Sequence, residues 1–262
     1  MFEIRRTSTK VILQIVLLVL TIPFLVPLIQ MVAGSLAGAG WGNYAAVFET
    51  GVVPTFFRNS AIIAVSTIAI VYSVTMLAAY GFGKLHIAGK EIYFWMLLLA
   101  LTLPEVVLLT PLFTTTLRLG IQNTLPAVIL PLAALQVPFT ILLARNFYEG
   151  VPNELMEAGR IDGANAMQIF WYIMLPLTKP ITAAIIVLTL INSWNDYLLP
   201  LVMLVSPNKQ VVTLLPQFFQ GEFANDQTKI LAAAVITAIP EVLAYISLQK
   251  YFERGIAAGA LK

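Results

Sequence analysis

What this chain lacks narrows it first. Its 262 residues include no cysteine, so neither disulfides nor thiolate chemistry are open to it, although that absence alone fixes no compartment. It holds one histidine, His86, between Lys84 and Lys90. A lone imidazole builds neither a zinc site nor a catalytic triad, and a solvated loop position is expected for it. Charged residues make up 11% of the chain, the net charge is +2, and no basic run or aromatic–basic patch is present, so nothing points to nucleic acid. No H-E-x-x-H occurs, and the only Gly-Lys pair, Gly89-Lys90, is followed by Glu91, so the chain carries no P-loop. No metal, cofactor or catalytic residue is expected.

What fills the sequence is apolar. Hydrophobic residues reach 59% and the mean hydropathy is +0.88, more apolar surface than a soluble domain could hide. About 20 apolar residues span a hydrocarbon core of roughly 30 Å. Six segments qualify, at about 11–33, 59–82, 92–117, 125–144, 181–203 and 230–249. They are twice the length of a barrel strand and do not alternate, which predicts an all-α polytopic membrane protein, one transmembrane domain over 1–262. Pro23, Pro27, Pro104, Pro111, Pro131, Pro138 and Pro240 fall inside these runs. Neighbouring helices can satisfy the carbonyls a proline frees, so kinks are expected there. The first run exceeds a signal-peptide core of about 7–15 residues and is read as a retained helix.

The basic residues are unevenly placed. With a cytoplasmic N-terminus, Arg5, Arg6, Lys10, Lys84, Lys90, Arg145, Arg160, Lys179, Lys250, Arg254 and Lys262 fall inside, against Arg58, Arg118, Lys209 and Lys229 outside. Both termini are therefore expected in the cytoplasm. Of the outer loops, 34–57 is glycine-rich, and 204–228 carries Phe218, Phe219 and Phe223, either an aromatic belt or a loop that meets an external partner.

A polar insert over 145–180 interrupts the apolar pattern on the inner side. Pro152 can open a short helix from Asn153 to Ile161, which Asp162-Gly163 ends in a turn. Asn165 and Gln168 have capping-box spacing for a second helix. Its Met167, Phe170, Trp171 and Met174 recur at i, i+3, i+4 and i+7 as one apolar face, stopped by Leu175-Pro176. Such an elbow either inserts into a partner's groove or lies flat on the membrane surface.

The insert resembles the EAA loop of permease subunits in bacterial ABC importers, E-A-A-x3-G-x9-I-x-L-P. Glu157, Ala158, Gly163, Ile173, Leu175 and Pro176 match at the right spacings. Gly159 replaces the second alanine, a change worth roughly 1 kcal/mol of helix propensity that predicts a less rigid first helix. The remainder of the chain is similar to the MalG-like carbohydrate-uptake branch. The features that carry this are Asn59-Ser60, Ala78-Ala79-Tyr80, Asn123-Thr124, Ile161-Asp162-Gly163-Ala164, Trp194-Asn195-Asp196 and the tail RGIAAGALK. The resemblance implies a type I ABC importer permease fold with six helices in a bacterial inner membrane. It also implies a second homologous permease, two ATPase subunits that bind ATP and magnesium, and an extracytoplasmic solute-binding protein. The loop would then be a coupling helix. Glu157 would meet a basic ATPase residue, Gly163 would form the elbow, and Met167, Phe170 and Trp171 would grip.

Polar groups at membrane depth cost at least about 2.5–3.5 kcal/mol when charged and unpaired. Glu105, Asn192, Asn195 and Asp196, with Trp194 between them, are candidate translocation-path residues for a sugar; the alternative is inter-helix bonding. Glycerol-phosphate or another polyol derivative is a second cargo class. A stand-alone proton-coupled transporter could use Glu105, Asp196 and Glu241 as a relay, but it would have no need of the insert.

Overall fold

A computed structural model describes residues 7–220 and 226–260, with side chains from residue 9 to residue 247 of those stretches. Phe223, Arg5, Arg6 and the last two residues of the tail lie outside the described residues, as do the side chains of Lys250 and Arg254. No strand occurs among the described residues, and the helices are α1 (Thr7–Ser35), α2 (Gly42–Glu49), α3 (Val53–Lys84), α4 (Lys90–Leu99), α5 (Glu105–Arg118), α6 (Pro126–Gly150), α7 (Glu154–Ile161), α8 (Ala166–Ile169), α9 (Leu175–Leu177), α10 (Lys179–Asn195), α11 (Leu198–Met203) and α12 (Gln227–Ala260). Four are long and apolar enough to cross a membrane: α1, α3, α6 and α12. Two bent pairs, 90–118 and 166–195, bring the number to six if each counts as one span.

The chain divides into two compact units. One contains α1, α2 and Leu215–Ala238. Here Gly34 lets α12 approach α1 closely, because a Cβ at Gly34 would stand 2.5 Å from Leu231 Cδ1. Asn43 Nδ2 donates to the carbonyls of Ser35 and Ala37 at 2.9 and 2.8 Å, pinning α2 under the end of α1. This short helix was not expected from the sequence.

The other unit holds Val52–Leu214 and α12 from Ile239 onward. Its frame is α3, α6 and α10, started respectively by Pro54, Pro126 and Pro180 in the first turn, where a missing N–H leaves nothing unsatisfied. Two apolar clusters fill it. Ile63 of α3, Leu132 of α6 and Met203 of α11 belong to one, and Tyr80, Tyr148 of α6 and Ile185 of α10 to the other. Beside the cluster of Tyr80 and Tyr148, Thr75 of α3 and Thr140 of α6 share a buried hydroxyl–hydroxyl bond of 2.7 Å, a contact worth roughly 0.6 kcal/mol between membrane helices.

Two expected spans are broken. The third does not run through 92–117: Leu103 is extended (ψ 120), Pro104 caps α5, and the two halves bend by 105°. Pro104 cannot donate to the carbonyl of Ala100 and forces its predecessor out of the helical region. The fifth does not reach residue 203. It ends at Asn195, with Asp196 extended, because Pro200 cannot bond the Asp196 carbonyl; that oxygen accepts from Thr213 Oγ1 instead, at 2.8 Å. The fourth runs on to Gly150, six residues into the expected loop. Arg145, placed in that loop by the sequence, sits inside α6. It bonds Glu149 one turn on and both oxygens of Glu91, and its guanidinium lies 4.0 Å above the Phe94 ring.

Candidate functional site

The insert is held from below by the membrane helices. Lys84, at the end of α3, is buried and donates to the Val151 carbonyl at 2.6 Å and to Asn153 Oδ1 at 2.7 Å. Tyr80, one turn earlier, donates from its hydroxyl to the Ala166 carbonyl at 3.0 Å. Its ring lies 5.3 Å from that of Phe170 and 6.1 Å from that of Tyr148. The sequence flagged Tyr80 only as part of a resemblance and Lys84 only as a charge.

Each turn of the loop has a local cause. Gly163 has φ +83, the left-handed conformation glycine adopts without penalty. The Ala164 N–H returns to the Gly159 carbonyl at 2.9 Å and the Gly163 N–H to the Arg160 carbonyl at 3.0 Å, closing α7 in a Schellman motif with Asp162 as its cap. Asn165 opens α8 with the complete reciprocal capping box. Its Oδ1 accepts from the Gln168 N–H at 2.9 Å, and its own N–H donates to Gln168 Oε1 at 2.8 Å.

The expected single apolar face is split. Phe170–Met174 wind as a π-helix, which breaks the α spacing. Phe170 and Met174 are buried, with Phe170 2% exposed, whereas Met167 and Trp171 are 55% and 53% exposed. Phe170 therefore belongs to the anchor and is not free to grip a partner. The exposed apolar surface comes from Leu155, Ala158 and Ile161 on one face of α7, together with Met167 and Trp171. Ile161, 86% exposed, was left out of the expected apolar surface, although its place three residues after Ala158 and six after Leu155 was readable. Ile173 and Leu175 are half-buried and Pro176 is exposed. Exposed Glu157 makes no ion pair among the described residues and, with Lys84, His86, Lys90 and Arg160, lines a cavity of about 160 Å³.

Gly159 is not a loosened position. It is buried, and a Cβ there would stand 2.8 Å from Ile173 Cδ1 and 3.3 Å from Ile169 Cγ1. The absent side chain brings α7 onto the π turn, so the glycine tightens the elbow it was expected to slacken.

A second site lies where the broken spans meet. A cavity of about 540 Å³ is lined by Glu105, Gln136, Asn192, Asn195 and Asp196 among apolar side chains. Glu105 occupies the first turn of α5, its place a product of the break at Pro104. Glu105 Oε1, Asp196 Oδ2 and both polar atoms of Gln136 are buried without a hydrogen-bond partner among the described residues. Asn195 donates to Glu241 of α12 at 2.6 Å, so that carboxylate is engaged between helices. Trp194 does not line this cavity; its ring meets Phe57 of α3 edge-on at 5.9 Å. Gln136 was missed, one amide in a long apolar run with no pattern to mark it.

Residues 75–258 match the family described as binding-protein-dependent transport system inner membrane component. The chain is similar to the arabinooligosaccharides transport system permease protein AraQ of Halalkalibacterium halodurans, 34% identical over 84% of this chain and 78% of that one. It is also similar to the melibiose/raffinose/stachyose import permease protein MelC of Bacillus subtilis, 32% identical over 86% and 82%. Its fold is similar to a chain in the crystal structure of a bacterial ABC transporter involved in the import of the acidic polysaccharide alginate. There the TM-score is 0.80 at 24% identity, covering 96% of this chain and 99% of that one.

Proposed function

The chain belongs to the family of binding-protein-dependent transport system inner membrane components, and from that membership we propose a carbohydrate cargo, moved by ATP-driven rocking of these helices. It is the permease subunit of an importer, a transport component of the inner membrane and not an enzyme. Membership implies an ATPase and a solute-binding protein as partners. The assembly inferred here adds a second homologous permease and two ATPase subunits, which hold the ATP and magnesium. Both termini face the cytoplasm in this reading, as the distribution of lysine and arginine favours.

The observation that carries the coupling is the two-sided insert. Its inner side is bonded to α3, and its outer side exposes Leu155, Ile161, Met167 and Trp171 with no cover among the described residues. A knob so held transmits displacement rather than absorbing it. When ATP draws the ATPase pair together, Glu157 and the exposed apolar residues take up the motion, and Tyr80 and Lys84 pass it to α3.

A carbohydrate is favoured by the cavity of Glu105, Gln136, Asn192, Asn195 and Asp196, which offers hydroxyl-bonding carboxylates and amides. Among the described residues no lysine or arginine lines it, which disfavours a phosphate ester. The named substrates of AraQ and MelC, both oligosaccharides or their kin, support the same class. Proteoliposomes containing the purified assembly test the reading. Uptake should require ATP and be unmoved by an imposed pH gradient, and arabino- or galacto-oligosaccharides with the binding protein should stimulate hydrolysis. Uptake driven by the pH gradient without ATP would favour the carboxylates as a proton relay and overturn it.

A further inference from the structure

We propose that Asn123 is a positioning residue that pre-organises the outer segment 205–213 for the solute-binding protein and ties that segment to the cavity; the proposal rests on the importer reading above. Asn123 is the only non-glycine residue with positive φ among the described residues, at +59. Asparagine tolerates that conformation better than other side chains. Here the turn aims both ends of the backbone and the whole amide at one segment. Asn123 Oδ1 accepts from the Val205 and Ser206 N–H groups at 3.1 and 3.0 Å, while Nδ2 donates to Ser206 Oγ at 2.7 Å. The backbone N–H donates to the Met203 carbonyl at 3.1 Å, and its carbonyl accepts from Lys209 Nζ at 2.6 Å.

A second clamp meets the same segment from α3. Asn59 Nδ2 donates to the carbonyls of Asn208 and Gln210 at 3.0 and 2.9 Å, and Ser60 Oγ accepts from the Val212 N–H at 2.9 Å. Side chains thus hold the N–H groups of Val205, Ser206 and Val212 and the carbonyls of Asn208 and Gln210, fixing the stretch at both of its ends and in its middle. The next residue, Thr213, bonds the Asp196 carbonyl, so the clamped segment continues into the lining of the cavity.

The location says what the clamp serves. Asn59 and Lys84 mark opposite ends of α3, and 25 residues of helix separate them by roughly 38 Å. Lys84 holds the insert assigned to the ATPase; the Asn123 node is at the other end, where an external partner must act. A loop already ordered before binding loses little freedom when it binds, which raises affinity without new contacts.

The variants separate backbone from amide. Asn123→Gly keeps the left-handed turn and deletes every amide bond. Asn123→Asp keeps the turn and the acceptor oxygens, and the Ser206 hydroxyl can reverse to donate. This chain has no native cysteine, so in an importer whose partner subunits have been made cysteine-free a nitroxide on Asn208→Cys reports on this segment alone. For Asn123→Gly we expect a sharper nitroxide spectrum and about a tenfold rise in the concentration of the importer's own binding protein that half-maximally stimulates ATP hydrolysis, with basal hydrolysis and the saturated rate unchanged. Asn123→Asp should restore both readouts. An unchanged spectrum, or a mobilised label with unchanged half-maximal concentration, overturns the proposal. If the unsubstituted importer is not stimulated by any binding protein, the importer reading itself fails, a result distinct from either.

Discussion

The hydroxyl of Tyr80 reaches from α3 to the Ala166 carbonyl at 3.0 Å, one hydrogen bond joining a membrane-crossing helix to the first residue of α8. That carbonyl lies beside the capping box, so the bond fixes where the second half of the elbow begins.

Removing the hydroxyl tests its part in transmission. Tyr80→Phe keeps the ring against Phe170 and Tyr148 but leaves the carbonyl without its donor, a loss of about 0.5–1.5 kcal/mol. Thermal unfolding of the purified subunit should show that decrease, and solute uptake per ATP hydrolysed should fall. An unchanged ratio would place the coupling route elsewhere.

Gly163→Pro meets the elbow directly. Proline fixes φ near about −65°, opposite in sign to the +83 found here, and removes the N–H bonded to Arg160. The subunit should insert and assemble, and the importer's ATPase subunits should still hydrolyse ATP while transport falls to background level. Gly163→Ala should show a milder defect, costing about 1–2 kcal/mol of local stability. Normal transport by the proline variant would remove the insert from the mechanism.

Glu241 depends on Asn195, whose amide donates to it at 2.6 Å. Asn195→Leu should destabilise by about 1.5–3 kcal/mol, since the carboxylate loses a charge-assisted bond. Adding Glu241→Leu should recover much of that loss. A double-mutant cycle on melting temperature measures the coupling, and simple additivity would show the contact to be incidental.

Acid should act visibly at the start of α12. Asp226 caps that helix, its oxygens bonded to Lys229 Nζ at 2.7 Å, to the Thr228 hydroxyl at 2.8 Å and to the Lys229 N–H at 3.2 Å. The Lys229 side chain, first among these, lowers its pKa from 3.8 to about 2. Because the folded value is depressed, the stabilisation is complete above the ordinary carboxylate range and is lost as pH falls through about 2. The stability difference between the natural protein and Asp226→Asn should therefore narrow steadily on acidification below pH 3.8. A carboxyl resonance titrating near its ordinary value would show that the cap does not hold.

The long helices were legible because apolar run length determines them. The breaks were not. Pro23, Pro27, Pro111, Pro131, Pro138 and Pro240 all stay inside helices, and Pro104 looks the same in sequence. What separates it is tertiary: the turn it makes delivers Glu105 to a cavity shared with Gln136 and Asp196. In the insert, the caps at Gly163 and Asn165 followed from residue type and spacing. The sides occupied by Phe170 and Trp171 did not, since 3.6-residue periodicity cannot foresee a π turn. Gly159 was misread for a related reason, its meaning lying in Ile169 and Ile173, ten and more residues away.

That π turn has a consequence for how this stretch can vary. Each residue of helix advances the chain by about 100° around its axis. A π turn closes i→i+5 where an α turn closes i→i+4, so deleting one position between Phe170 and Met174 would let the stretch close as α with its downstream anchors on the same side, whereas inserting one more would swing those anchors toward solvent. The gap between Gly163 and Ile173 is thus an angular requirement and not one of reach: the stretch has room to give up one residue and none to gain one.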